Sequence, residues 1–107
     1  MSIDENLKMV RLIDNYGAVL TEKQFSIISN YYFDNLTYAE IGENMGISRQ
    51  AVSDSINQSI KTMKGLEEKL GLISKFDSML DDISQVADKM SEERKMELLQ
   101  VIEKYRR

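Results

Sequence analysis

Two helices separated by a sharp turn are written into the run from Leu36 to Lys64, and this constrains the chain more than any other feature. Thr37 can cap a first helix with its hydroxyl while Glu40, three residues on, reaches back to the Thr37 amide, the reciprocal arrangement of a capping box. Ala39, Ile41 and Met45 supply that helix with an apolar stripe, and Gly46 accepts the positive φ needed to leave it. Ser48 then serves as N-cap for a second helix, in which Val52, Ile56, Ile60 and Met63 recur at helical spacing. The same periodicity turns Arg49, Gln50, Ser53, Asp54, Asn57, Gln58 and Lys61 outward. A helix-turn-helix is the expected result, its second helix presenting hydrogen-bonding groups of the kind that contact nucleic acid.

The remainder also reads as helix. There is no proline, only five glycines fall among the 107 residues, and a charged, Leu/Ile/Met-rich composition favours long helices. Ile3, Leu7, Val10, Ile13 and Tyr16 mark an amphipathic helix that ends near Gly17. Thr21-x-x-Gln24 is a further capping box, opening a helix through Phe25, Ile28 and Tyr32 that Asp34-Asn35 closes. Leu66 and Leu70 carry the stripe of the second motif helix to a stop at Gly71. A new helix starts near Ile73, where Ile73, Phe76, Leu80, Ile83, Ala87 and Met90 alternate three and four apart, a heptad-like seam that needs a partner helix. Ser91 caps the last helix, with Glu92 and Glu93 in its first turn, Leu98, Leu99, Ile102 and Tyr105 on its apolar face, and Lys104, Arg106 and Arg107 at its end. The expected fold is a small all-α protein of about six helices. It forms one domain over 1–107, with a helix-turn-helix core at about 17–70 and a C-terminal packing or dimerisation region at about 72–107. The last helix is too short to cover the seam alone, so a homodimer is expected.

The chain has neither cysteine nor histidine, which removes disulfides, zinc sites of the usual kind, histidine acid-base chemistry and the familiar nucleophilic triads. Asp77, Asp81, Asp82 and Asp88 invite a metal or acid-base role, but carboxylates on the polar face of an amphipathic helix are what solubility requires. No enzyme activity, cofactor or metal is therefore expected. No stretch approaches ~20 consecutive apolar residues and the first residues lack a signal core, so a soluble cytoplasmic protein without membrane insertion is expected. The net charge of −4 gives a thin electrostatic footprint for a phosphate binder. Between Leu36 and Leu70, Arg49, Lys61, Lys64 and Lys69 stand against Glu40, Glu43, Asp54, Glu67 and Glu68. Tyr31-Tyr32-Phe33 offers a surface for stacking on unpaired bases, yet no basic residue is interleaved, and the favoured reading places these rings in the core. Arg106-Arg107 similarly fits a chain end that complements the helix dipole better than a phosphate contact.

Leu20-Thr21-Glu22-Lys23-Gln24, Tyr31-Tyr32, Ala39-Glu40-Ile41-Gly42-Glu43 and Ile47-Ser48-Arg49-Gln50-Ala51-Val52-x-Asp54-x-Ile56 together resemble the YlxM-type family. The resemblance runs roughly from Arg11 to Leu72 and is weaker in the helical tail. It implies a helix-turn-helix similar to the promoter-binding fourth region of bacterial sigma factors, whose second helix reads the promoter. On that pattern Ser48, Arg49, Gln50, Ser53, Asp54, Asn57 and Gln58 line the contacting surface. The resemblance also implies a link to the signal recognition particle pathway, through the particle's RNA, its GTPase or the receptor. Gly42 stands where such proteins generally prefer alanine, at about 1 kcal/mol of helix propensity. Asn57 and Gln58 stand where related sequences often carry a basic residue, which removes one or two phosphate contacts.

The expected function is a nucleic-acid-binding regulatory or accessory protein of co-translational targeting. Arg49 would bond phosphate or a guanine edge, Gln50 and Asn57 base edges, Ser48 would offer its backbone amide, and Lys61 a phosphate contact. The partner is DNA or the particle's RNA; in RNA the target would be a loop, bulge or distorted segment, because the A-form major groove is too narrow for a helix. Two alternatives stay open: a DNA-binding transcriptional regulator, and an adapter of the particle GTPase whose helix-turn-helix is only scaffold.

Overall fold

The computed structural model describes residues 3–105 and is all-α. Its helices are α1 (Ile3–Tyr16), α2 (Glu22–Tyr32), α3 (Tyr38–Met45), α4 (Arg49–Leu70), α5 (Leu72–Ala87) and α6 (Glu92–Glu103), with a single 3-10 turn at Gly17–Val19. No strand occurs among the described residues. The chain divides into two compact units, Met1–Gly71 and Leu72–Arg107.

In the first unit the caps act where the spacing placed them. The Thr21 hydroxyl accepts from the Gln24 amide at 3.1 Å while the Gln24 side chain accepts from the Thr21 amide at 3.1 Å. Thr37 and Glu40 repeat the exchange at 3.1 and 3.0 Å. α1, α2 and α3 all pack against α4. The core is Leu12, Ile13 and Tyr16 from α1, Ile27, Ile28 and Tyr32 from α2, Ile41 from α3, and Val52, Ile56 and Met63 from α4. Each fully buried isoleucine contributes about 1.5–3 kcal/mol relative to an exposed one. Ser59 lies buried on the same arc of α4, a polar residue that apolar periodicity does not single out. At the far end of α4, the Tyr16 hydroxyl donates to the Glu67 carboxylate at 2.6 Å and ties α1 to it. Ile3 and Leu7, by contrast, are exposed, so the apolar face of α1 is buried only toward its C-terminal end.

Of the aromatic run, Tyr32 alone is buried. Tyr31 is half-buried and Phe33 is exposed, so the core reading holds for one ring of the three. Phe33 closes α2 with its amide bonded to the Ser29 carbonyl, and the chain then leaves the helix, with Asn35 at φ 56° in the left-handed region.

In the second unit, α5 ends at Ala87 and a turn follows through Asp88, Lys89 and Met90. Met90 therefore lies beyond the helix that carries the rest of the seam, because the three-four spacing of apolar residues continues across a turn that breaks the helical path. Ser91 caps α6 by accepting from the Arg94 amide at 3.3 Å, and Lys95 pairs with Asp88 at 3.3 Å across the turn. Tyr105 likewise falls past the end of α6 and is exposed, as is Leu99, so the apolar face expected of the last helix reduces to half-buried Leu98 and Ile102. Arg106 and Arg107 lie outside the described residues.

Candidate nucleic-acid interface

The α3–α4 junction sets the direction of α4, and two glycines make it possible. Gly46 ends α3 at φ 69°, ψ 32°, left-handed backbone that costs a residue with a side chain about 1–2 kcal/mol. The Ile47 amide then donates back to the Gly42 carbonyl at 2.9 Å, folding the chain tightly over the helix it has just left. Gly42 lies beneath that fold: a Cβ there would stand 2.6 Å from the Ile47 carbonyl oxygen. The departure from alanine at this position is thus a fit to the turn, since only a hydrogen fits under Ile47. Ser48 follows as N-cap, its hydroxyl accepting from the Ala51 amide at 3.0 Å, and α4 begins.

At about 100° per residue, buried Val52, Ile56, Ser59 and Met63 occupy roughly 60° of the circumference of α4. Arg49, Ser53, Asn57, Gln50, Lys61, Asp54 and Gln58 follow in angular order over about 180°. All but Ser53 are exposed, as is Ser48 at the cap. The residues singled out from the sequence therefore share one side of the helix, interrupted by half-buried Ile60 between Arg49 and Ser53.

They are not equivalent in what they have left to offer. The Ser48 hydroxyl is spent on its cap. The Gln50 amide donates to the Asp54 carboxylate at 2.9 Å along the helix, so these two side chains satisfy each other. Ser53 is half-buried and acts on the Tyr38 phenol of α3. Arg49, Asn57, Gln58 and Lys61 remain the outward groups without a partner of that kind among the described residues.

Tyr38 brings in a neighbour that helical spacing does not predict. Its ring lies 5.0 Å from that of Tyr31 of α2 at 43°, and Tyr31 meets Tyr32 edge-on at 4.9 Å. Burial first, and then Tyr31 by charge and by a hydrogen bond, hold the Tyr38 phenol above its ordinary pKa, while the bond from Ser53 acts against them. Tyr31, Thr37, Tyr38, Ala39 and Arg49 line one depression of about 460 Å³. The sequence signal for this cluster was present only in part: the aromatic run was visible, but Arg49 is 18 residues from Tyr31 and reaches it only through the fold.

A capped helix, a glycine turn and a second helix packed into a common helical core define a helix-turn-helix protein. The chain belongs to the UPF0122 family, helix-turn-helix proteins described as YlxM / p13 like, whose model matches residues 3–103. Among similar relatives, a UPF0122 protein of Bacillus velezensis is 38% identical over 108 residues, covering 97% of this chain and 98% of the relative. One of Halalkalibacterium halodurans is 37% identical over 100 residues, covering 94% and 92%. One of a Thermoanaerobacter species is 34% identical over 108 residues, covering 97% and 92%. No helix of the described residues is long and apolar enough to cross a membrane.

Proposed function

We propose that this chain is a non-enzymatic nucleic-acid-binding protein, an accessory or regulator of the signal recognition particle pathway in the cytoplasm, that engages its target through the polar side of α4. The observation that carries this reading is the polar side of α4 from Arg49 to Lys61, exposed at every one of its site residues but half-buried Ser53 and starting at the tight turn that Gly42 and Gly46 allow. Arg49 and Lys61 would pair with phosphate or a guanine edge, Asn57 and Gln58 would meet base edges, and the α4 N-terminus at Ser48 would offer backbone amides. Gln50 and Asp54 would enter the contact only by giving up the bond they make with each other, and Ser53 is half-buried.

A second copy of the chain would complete the assembly. Leu72, Met79, Val86, Met96, Leu99 and Val101 in the second unit are all 46% exposed or more, an apolar surface that supports the homodimer expected from the seam. The Gln50–Asp54 bond favours the other reading, an adapter for the particle GTPase, since it places a carboxylate in the middle of the polar side, where phosphate would be repelled.

The test is a titration of labelled particle RNA, unrelated RNA and duplex DNA across a salt series. Preference for the particle RNA, weakening as salt rises, is the expected result, with Arg49→Ala costing about 1–3 kcal/mol. Preference for duplex DNA would move the chain to promoter-type regulation. No binding near physiological salt would defeat the reading and leave the adapter.

A further inference from the structure

We propose that the depression between Tyr31, Thr37, Tyr38, Ala39 and Arg49 is a second subsite that takes one unpaired nucleotide, its base against the tyrosine pair and its phosphate against Arg49. The proposal rests on the nucleic-acid reading of α4 and deepens it, because it specifies a target in which an unpaired residue lies beside the segment that α4 contacts.

Three observations support it. The two rings are half-buried and packed: Tyr31 lies 5.0 Å from Tyr38 and meets Tyr32 edge-on at 4.9 Å, so the aromatic surface is backed by the core of the first unit. A surface ordered before binding loses little freedom when a base stacks on it. Arg49 supplies the cation that the aromatic run lacks in sequence, and among the described residues it is held in no ion pair. A guanidinium beside aromatic rings meets both halves of a nucleotide, the flat base and the anion. Glu40, next in sequence to Ala39, bonds back to the Thr37 amide at 3.0 Å and is engaged in its own cap.

A paired duplex cannot use such a subsite, since its bases are stacked within the helix. An unpaired nucleotide can come from a bulge in RNA or in DNA, and the chemistry at the tyrosines is the same for both. Arg49 lies at the junction, lining the depression and starting the polar side of α4, so one side chain joins the two contacts.

The experiment uses the full chain and four hairpins, RNA and DNA, each fully paired or with one bulged aminopurine whose fluorescence reports stacking. A single-stranded oligonucleotide carrying the same analogue tests the depression without a duplex. Bulged hairpins are expected to bind roughly tenfold more tightly than paired ones and to show quenching on binding. Tyr31→Leu should abolish both effects while leaving the paired hairpins unchanged, and Tyr31→Phe, which keeps the ring, should retain them; circular dichroism checks that both variants fold. Equal affinity for bulged and paired hairpins overturns the subsite and leaves the α4 reading standing. Tyr31-dependent quenching of the single strand with no hairpin binding supports the subsite and defeats the α4 reading. No binding to any probe overturns both.

Discussion

The units Met1–Gly71 and Leu72–Arg107 are both built from amphipathic helices, yet they differ in what they bury. The first holds Ile27, Ile28, Ile41, Ile56 and Met63 at 1% exposure or less, while in the second Ala87 is the one buried side chain among the described residues. The cause is the number of surfaces that meet. α4 is covered by three helices, whereas no comparable packing joins α5 to α6 among the described residues, so their apolar stripes stay largely wet. Periodicity specifies a helix and the side it wants covered; it does not supply the cover. The groove lined by Asp82, Ile83, Val86, Met90 and Leu98, about 430 Å³, is what such a shortfall looks like.

The contrast can be broken most directly by cutting side chains on each side of it. Ile56→Ala should cost about 2–5 kcal/mol in chemical denaturation, through lost burial and the cavity left behind. Ile83→Ala, at a half-buried position, should cost less than half as much. Equal losses would mean that the second unit is as well covered as the first.

Next in size are the glycines of the first unit. Gly42→Ala forces a methyl toward the Ile47 carbonyl and should destabilise by about 1–3 kcal/mol. Gly65→Ala, which meets nothing within 4 Å in the middle of α4, should stabilise by about 0.5–1 kcal/mol. Thermal unfolding of the two variants should move in opposite directions, and a shift of the same sign would refute the close approach at Gly42.

Leu99→Asp sharpens the comparison from the other unit. At an exposed site it should change unfolding of the first unit by no more than about 0.5 kcal/mol, yet reduce the mass seen by light scattering if a second copy covers that surface. A wild-type chain that scatters as a monomer would remove the proposed dimer.

The smallest effect is confined to alkaline solution. Burial, followed by the neighbouring tyrosines and Glu5, raises Tyr32, and burial followed by Tyr31 raises Tyr38, above the ordinary value of 10.0. The unfolded chain therefore releases these protons first and binds fewer than the folded chain, so the slope of stability against pH is negative there. The contribution is complete below pH 10 and is lost as pH rises through the folded values. Denaturation midpoints measured upward from pH 10 should fall, less steeply in Tyr38→Phe, and an identical fall in that variant would show that Tyr38 contributes nothing.

Much of the fold was legible because its signals are local. Thr21 with Gln24, Thr37 with Glu40, and Ser48 act within three residues, and left-handed Gly46 and Gly71 end their helices where apolar spacing stops. The polar side of α4 was legible for the same reason. What escaped depends on distance in the chain or on a break in the path. Tyr31 and Tyr38 meet because the segment between them turns through Asn35, and Arg49 joins them from another helix. The Gln50–Asp54 bond is local, but a reading that asks only which side a residue faces does not ask whether two neighbours already satisfy each other. Met90 misled because spacing is blind to the turn after Ala87.

The narrow buried arc of α4 has an evolutionary consequence. Val52, Ile56, Ser59 and Met63 hold the helix in place without help from Asn57, Gln58 or Lys61, which stand in solvent. Exchanges at those three positions should alter stability by no more than about 0.5 kcal/mol, so selection can rewrite them freely. Lineages that share this scaffold can drift in what they address while their architecture stays the same, and fold alone is a poor guide to the target of any one of them.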